Sequence, residues 1–180
     1  MGVILASQSP RRKELLSYLI TDFSVLPSTV EEIVPNNLRA SKTPEYLSKI
    51  KALDVAISHP NDTVIGADTC VILGNTILGK PKDRQDAFNM LSSLSGKIHK
   101  VITGCTVVKN GVCKSFSVVS YVKFLKLKNQ EIEAYLDTNE PYDKAGSYGV
   151  QGKAGAFVEY IKGDYFNIVG LPIAKLKKYL

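Results

Sequence analysis

Residues 99–125 read HKVITGCTVVK, then NG, then VCKSFSVVSYVKFL, and this stretch decides the class of fold. Its two halves are rich in β-branched residues, which predicts two long strands over His99–Lys109 and Val112–Leu125. Between them, Asn110-Gly111 is the dipeptide favoured in two-residue hairpin turns, because both positions there take a positive φ. The sheet must therefore contain antiparallel pairs, and a Rossmann fold is disfavoured.

Strands and helices alternate around this hairpin, which indicates the α/β class. The expected architecture is a mixed twisted sheet with long antiparallel hairpins and helices packed around it. A last hairpin is expected from Ala156–Ile161 and Tyr165–Val169, turning at Gly163. No G-x-G-x-x-G follows the first strand, and no P-loop motif occurs, so neither of these nucleotide-binding motifs operates here.

The composition is that of an ordinary globular protein, with 44% hydrophobic and 22% charged residues among 180. We expect residues 1–180 to form a single domain with two lobes. Three cysteines, Cys70, Cys105 and Cys113, show no disulfide or zinc spacing, so small core residues and a cytoplasmic location are expected. No segment is predicted to be a signal peptide or to span a membrane.

The net charge of +6 and the pI of about 9.1 point to an anionic partner. Nucleic acid and a small polyanion are the two alternatives. The longest basic runs are only Arg11-Arg12-Lys13 and Lys177-Lys178. Because no Arg-rich tail or aromatic-basic RNA motif accompanies them, the small polyanion is favoured.

A phosphate-binding turn is predicted where the first strand, Val3–Ala6, runs into the first helix. The segment carries Ser7, Ser9, Arg11 and Arg12 around Pro10. A helix N-terminus offers free N–H groups to an anion, and arginine suits phosphate because its donors form a fork. The alternative is an N-cap serine followed by surface arginines.

A carboxylate, Asp68, stands in Gly66-Ala67-Asp68-Thr69, which we expect to be the end of a buried strand. A charged group there is costly unless it is paired or bound to metal. Asp68 and a loop carboxylate, Glu31 or Glu32, form a predicted Mg²⁺ site. The alternative is a turn or capping aspartate.

Two lysines, Lys51 and Lys80, complete a basic cleft suited to phosphoryl hydrolysis. Taken alone, each lysine is better explained as an ordinary surface residue.

A long polar loop, Asp143–Gly152, is expected to approach a ligand, because its glycines allow close contact with the backbone. Gln151 carries both a donor and an acceptor and can read the edge of a base. The alternative is a flexible connector. His59, beside Pro60 at a helix end, and His99, at a strand start, are expected to be structural rather than catalytic.

Together these motifs resemble the Maf family of nucleotide pyrophosphatases along nearly the whole chain. The matching segments are Ser7-x-Ser9-Pro10-Arg11-Arg12, Glu32, Lys51-Ala52, Gly66-Ala67-Asp68-Thr69, Gly79-Lys80-Pro81, Ser95-Gly96, His99-x-Val101-x-Thr103-Gly104, and Asp143 to Gly152. Each motif alone is weak, but the ordered set is specific.

The resemblance implies a fold similar to the inosine triphosphate pyrophosphatases, with two lobes around a central cleft. It implies hydrolysis of a nucleoside triphosphate to the monophosphate and pyrophosphate, with Mg²⁺, or Mn²⁺ or Co²⁺, as cofactor. These enzymes are often homodimers. The family's general base falls on Asp68, and its other catalytic positions fall on Glu32, Lys51 and Lys80.

The family branch that prefers dTTP and UTP is the match, because its specificity positions fall on Arg12, Thr69 and Gln151. A second function class stays open, a nucleotide-binding regulator of septum formation without turnover. A nucleic-acid binder rests on the pI alone. We expect no nucleic-acid or membrane partner.

Overall fold

The computed structural model describes residues 2–180, and its elements alternate between strand and helix. The strands are β1 (Val3–Leu5), β2 (Ser24–Val25), β3 (Thr63–Leu73), β4 (Thr76–Leu78), β5 (Ile98–Lys109), β6 (Val112–Phe124) and β7 (Val158–Lys162). The α-helices are α1 (Pro10–Ser17), α2 (Thr43–Ser58), α3 (Arg84–Leu94), α4 (Asn129–Leu136), α5 (Tyr165–Val169) and α6 (Ile173–Leu176). Short 3-10 turns lie between some of them. None of the helices in residues 2–180 has the length and apolar character needed to cross a membrane.

One mixed sheet forms the centre of the fold, with strand order β2-β1-β3-β5-β6-β7 and β4 also paired to β3. Strand β1 is parallel to β2 and β3, and the other pairs are antiparallel. At the tip of the long hairpin, φ is 50° at Asn110 and 75° at Gly111. Both turn residues have the left-handed conformation that this hairpin requires. The predicted α/β class and mixed sheet are confirmed.

Strand β3 is continuous through Asp68, so the prediction that Asp68 ends a strand was wrong. The reason is β5, which pairs with β3 without a break from Val64 to Ile72. On the other edge of β3, β1 pairs only as far as Ile65, and β4 pairs only from Val71. Residues 66–70 therefore have one edge with no strand beside it, and Asp68 lies at the middle of this gap.

Two separate cores lie along one face of the sheet. Because side chains alternate along a strand, Ala67, Thr69 and Val71 share this face of β3. Ala67 packs in a core with residues of α1, α5 and α6, whereas Val71 packs in a core with residues of α3 and α4. Thr69 falls between the two cores. These cores form two lobes that meet beside the gap in the β3 edge.

Helix α2 covers the opposite face of the sheet and lies unusually close to it. A Cβ at Gly66 would overlap the carbonyl of Ser48, and a Cβ at Gly104 would overlap the backbone of Pro44 and Glu45. The helix rests directly on the strands because both positions lack a side chain. The spacing of Leu47, Ile50, Leu53 and Ile57 predicts one inner face for this helix, but Ile57 is 81% exposed, so the prediction is wrong for that residue.

The predicted last hairpin is also wrong, because Tyr165–Val169 is the helix α5 rather than a strand. Gly163, with φ at 117°, turns the chain. The carboxylate of Asp164 then accepts hydrogen bonds from the N–H groups of Phe166 and Asn167 at 2.8 and 3.3 Å. This N-cap stabilises a helix in a segment whose apolar residues favour a strand by composition.

The close approach of α2 to the sheet leads to a prediction about stability. Gly104→Ala should lower the free energy of unfolding by about 2 kcal/mol or more, because the new methyl group meets backbone that has no room to move. Urea unfolding measures the change. Gly79→Ala is the matched control, because nothing lies within 4 Å of a Cβ added there. Equal stability of the two variants would contradict the packing described.

Candidate active site

A cleft of about 770 Å³ opens at the gap in the β3 edge. Because β3 has no neighbouring strand there, residues from both faces of the sheet reach the same space. Asp68 points to the face covered by α2, and Thr69 points to the face between the two lobes. Both line the cleft, together with the β1–α1 turn, the loop before α2, the end of β4 and the 143–150 loop.

Lys51 joins two carboxylates at one end of the cleft. Its Nζ lies 2.7 Å from Oδ1 of Asp68 and 2.9 Å from Oε2 of Glu32. Lys51 and Asp68 are 14% and 13% exposed, whereas Glu32 is 51% exposed. The close packing of α2 on the sheet fixes the buried pair of Lys51 and Asp68. The structure thus brings three of the four predicted catalytic residues into direct contact.

The same two carboxylates are the predicted metal ligands. Oε2 of Glu32 and Oδ1 of Asp68 both lie within 3 Å of the Lys51 ammonium nitrogen. Oδ2 of Asp68 has only a weak contact, 3.8 Å from the Cys70 thiol. Among residues 2–180 no group of three or more His, Cys, Asp or Glu side chains could hold a metal ion. Two carboxylates still fit Mg²⁺, which usually takes one or two plus water and substrate phosphate oxygens.

Arg12 also lines the cleft and is held by three hydrogen bonds. Its Nε donates to the carbonyl of Gly170 at 3.0 Å, its Nη1 to Oγ of Ser7 at 3.1 Å and its Nη2 to Oγ1 of Thr69 at 3.1 Å. Burial lowers the pKa of the Arg12 guanidinium, and the negative charge of Asp68 opposes this shift. An arginine stays protonated at any physiological pH. All three of its acceptors are neutral, so its charge is available to an anion.

The predicted phosphate-binding turn lines the cleft, and its binding of phosphate stays a prediction. Oγ of Ser9 accepts from the N–H of Arg12 at 3.5 Å and caps α1, so the capping interpretation of this serine is correct. Oγ of Ser7 accepts from the N–H of Ser9 at 3.3 Å. Arg11 reaches across the mouth of the cleft to Asp143 of the second lobe at 3.5 Å. A phosphate binding to Arg11 would compete with that carboxylate.

Lys80 lies on the opposite wall, directly after β4. It is exposed and, in the part of the chain that the structure describes, makes no ion pair. The neighbouring Gly79 accepts a hydrogen bond from the N–H of Gly146 at 3.0 Å, which ties this wall to the polar loop. Lys80 therefore shares the cleft with Asp68 but does not touch it.

Gln151 is the predicted residue that the structure does not bring into the cleft. It is exposed, and Val150 is the last residue of this loop that lines the cleft. The loop around it is held by Glu140, whose carboxylate accepts from the hydroxyl of Tyr135 and the N–H of Lys153, both at 3.0 Å. The role of Gln151 in reading the base stays a prediction.

Two cleft groups that sequence reasoning left out of the site are chemically quiet. Cys70 lines the cleft, but burial raises the pKa of its thiol to about 12, so it is not a nucleophile. Tyr148 also lines the cleft, and its hydroxyl lies 2.7 Å from Nε2 of His99. Burial lowers the pKa of His99 to about 4, so the ring is neutral, and its position against Phe124 agrees with the structural role expected.

Sequence reasoning also missed the polar residues behind Thr69. Its Oγ1 lies 2.9 Å from Oγ1 of Thr103, which in turn contacts Asn167 of α5. Thr103 belonged to a recognised motif but had no assigned role. Asn167 gave no signal, because its segment was expected to be a strand.

Comparison with known proteins finds relatives along nearly the whole chain. The chain is 48% identical over 187 residues to a dTTP/UTP pyrophosphatase of Clostridioides difficile (strain 630), covering 99% of this chain and 95% of the relative. It is 49% identical over 175 residues to a dTTP/UTP pyrophosphatase of Thermococcus gammatolerans, covering 95% and 91%. The fold is similar to that of the Staphylococcus aureus Ham1 protein, with a TM-score of 0.56, 13% identity and coverage of 99% and 97%.

The family described as Maf-like protein matches residues 2–180. This match spans the Arg12 turn, the Lys51 helix and the Asp68 strand. The chain therefore belongs to the Maf family.

Proposed function

We propose that this protein is a divalent-cation-dependent nucleoside triphosphate pyrophosphatase that acts on dTTP and UTP, including modified pyrimidine forms. The observation that carries the proposal is the contact of Lys51 with both Glu32 and Asp68 in a cleft that is also lined by Arg12, whose hydrogen-bond acceptors are all neutral. Carboxylates at one end and cations along the walls are what hydrolysis of a phosphoanhydride requires. The names of the relatives support the substrate class.

In the proposed reaction, a water molecule adds to phosphorus and the bridging P–O bond between the α- and β-phosphates breaks. Pyrophosphate leaves with the electron pair of that bond. The proton of the water passes to Oδ2 of Asp68, because Oδ1 is already held by Lys51 at 2.7 Å. The monophosphate then carries the new oxygen.

Cations on the walls of the cleft place the triphosphate. Arg11, Arg12 and Lys80 would hold phosphate oxygens, with the hydroxyls of Ser7 and Ser9 beside them. Lys51 holds the Asp68 carboxylate in position through its contact with Oδ1 at 2.7 Å. Glu32 and Asp68 would hold the divalent ion, which supplies charge neutralisation on the phosphate oxygens when bound.

Arg12, Thr69 and Gln151 complete the proposal as the residues that select the base. The proposed unit is one domain, residues 1–180, working in the cytoplasm as a homodimer. No nucleic-acid or membrane partner is part of it, because the cations of the cleft suit a small polyanion.

A nucleotide panel tests the proposal directly. With Mg²⁺ present, purified protein should release pyrophosphate from dTTP and UTP faster than from CTP, ATP or GTP. Ion chromatography distinguishes pyrophosphate from phosphate. Tight binding of dTTP with no turnover of any pyrimidine triphosphate would favour the regulator instead.

Asp68→Asn should reduce kcat by about 10²- to 10⁴-fold, since the amide neither accepts the proton nor offers a second charge to a cation. Binding of the product monophosphate, measured by calorimetry, should change little because the cations remain. Asp137→Asn is the matched control, because it removes an exposed carboxylate that pairs with Arg84 at 2.9 Å outside the cleft. Activity of Asp68→Asn within a few-fold of the starting protein would remove Asp68 from this role.

Removal of divalent ions should abolish turnover. Dialysis against a chelator is expected to leave an inactive, folded protein. Addition of Mg²⁺, Mn²⁺ or Co²⁺ should restore its activity. Glu32→Gln should raise the Mg²⁺ concentration needed for half-maximal rate about tenfold or more, because one of two carboxylate ligands is lost. Full activity in the chelator would refute the metal requirement.

A further inference from the structure

A buried chain of hydrogen bonds runs from the cleft into the sheet. Beginning at Thr69, it passes through Thr103 to Asn167 and ends on Ser120. Apart from Thr69, all members are fully buried. None of the roles derived above uses the three residues behind Thr69, yet a buried polar group is retained at a cost unless it is fully paired.

The orientation of Asn167 is fixed by its partners. Its Oδ1 accepts from the N–H of Thr103 at 3.0 Å, and its Nδ2 donates to the carbonyl of Val101 at 3.0 Å and to Oγ of Ser120 at 2.8 Å. Ser120 donates its own proton to the carbonyl of Asp164 at 2.8 Å. The reverse orientation of the amide would place donor against donor and acceptor against acceptor, so only one arrangement satisfies every group.

Counting donors and acceptors also fixes the direction of both threonine hydroxyls. Oγ1 of Thr103 donates its one proton to the main-chain carbonyl of Asn167 at 2.7 Å. At its 2.9 Å contact with Thr69, it can therefore only accept. The proton of Thr69 is consequently directed into the sheet, away from the cleft. A hydroxyl has one proton and two lone pairs, and one lone pair of Thr69 already accepts from Nη2 of Arg12 at 3.1 Å.

Thr69 thus faces the cleft with one free lone pair and no proton. Arg12, in contrast, has N–H donors without an acceptor among residues 2–180. Three of its five N–H groups are used by Gly170, Ser7 and Thr69, which leaves donors on Nη1 and Nη2 beside the threonine oxygen. The cleft therefore presents an acceptor next to a donor.

From this arrangement we infer that Thr103 and Asn167 are positioning residues for base selection, and that they do so by holding the Thr69 hydroxyl as an acceptor only. An acceptor beside a donor matches the N3–H and adjacent carbonyl of a uracil or thymine ring. Cytosine presents N3 as an acceptor and an amino group as a donor, so both of its groups face like groups. This inference rests on the proposed function and deepens its choice of substrate.

A mismatched base leaves buried polar groups unpaired, so its binding is less favourable in free energy than that of the matching base. If the proton of Thr69 were released from Thr103, the hydroxyl would rotate and donate to cytosine N3. The preference would then weaken without loss of Asp68, Lys51 or Glu32. Selection and chemistry should therefore be separable by substitution behind the cleft.

The test is Thr103→Val, which removes the accepting oxygen and keeps the shape of the side chain. The ratio of kcat/KM for UTP to kcat/KM for CTP should fall about tenfold, mainly through KM. Calorimetry with UMP and CMP should show the same loss in the ratio of Kd values, independent of the chemical step. Thr103→Ser, which restores the hydroxyl, should keep both ratios within about twofold of the starting protein.

Thr106→Val is the matched control. Thr106 is a fully buried threonine of the same strand, bonded to Ser48 and Ser115 at 2.8 Å and absent from the cleft lining. The Thr106→Val substitution should lower the melting temperature without changing the ratio of kcat/KM for UTP to kcat/KM for CTP. If Thr103→Val does not fold, Thr103→Cys replaces the hydroxyl by a thiol, which is a weak acceptor, and the same fall in ratio is expected.

An unchanged ratio in a folded Thr103→Val or Thr103→Cys protein overturns the inference. So does an equal loss of activity toward UTP and CTP, because that is what a purely structural role would give. A starting protein that turns over neither nucleotide fails the proposed function instead. The two failures are therefore distinguishable in one experiment.

Discussion

The contact on which the rest of the structure depends is the direct packing of α2 on two glycines of the sheet. Gly66 of β3 and Gly104 of β5 leave no side chain beneath the first half of the helix, so backbone meets backbone. Lys51 follows this contact along the helix and reaches Asp68, which pairs with Gly104 in the sheet register. A side chain at either glycine would lift the helix and separate the lysine from the carboxylate.

A second constraint is the gap in the β3 edge. Strands β1 and β4 approach β3 from opposite ends and leave residues 66–70 without a partner strand. Consecutive side chains of a strand normally serve opposite sides of a sheet and do not meet the same ligand. At this gap the cleft extends around the edge, so Asp68 from one face and Thr69 from the other line the same space. One strand thereby supplies both the proposed base and a proposed specificity contact.

Sequence reasoning worked where a local rule dictates the conformation. Asn110-Gly111 determines the long hairpin, because few other residues accept two positive φ angles, and Ser9 before Pro10 determines the start of α1. It failed where distant contacts decide. Asp68 looked like a strand end because a charge interrupts an apolar run, but Lys51 neutralises it from elsewhere in the chain. A local signal was missed at Asn167, because Asp164 caps its segment as a helix although the apolar residues there resemble a strand.

The balance of charge in the cleft explains why a metal ion belongs to the proposed mechanism. Five cationic and three carboxylate side chains line the cleft. The carboxylates are already paired: Asp68 and Glu32 with Lys51, and Asp143 with Arg11 and Lys144. Among the cleft-lining residues that the structure describes, only Arg12 and Lys80 lack a carboxylate partner, and Arg11 has to leave Asp143 to meet a triphosphate. A divalent ion at Glu32 and Asp68 would supply the missing positive charge on the side where the anhydride bond has to break.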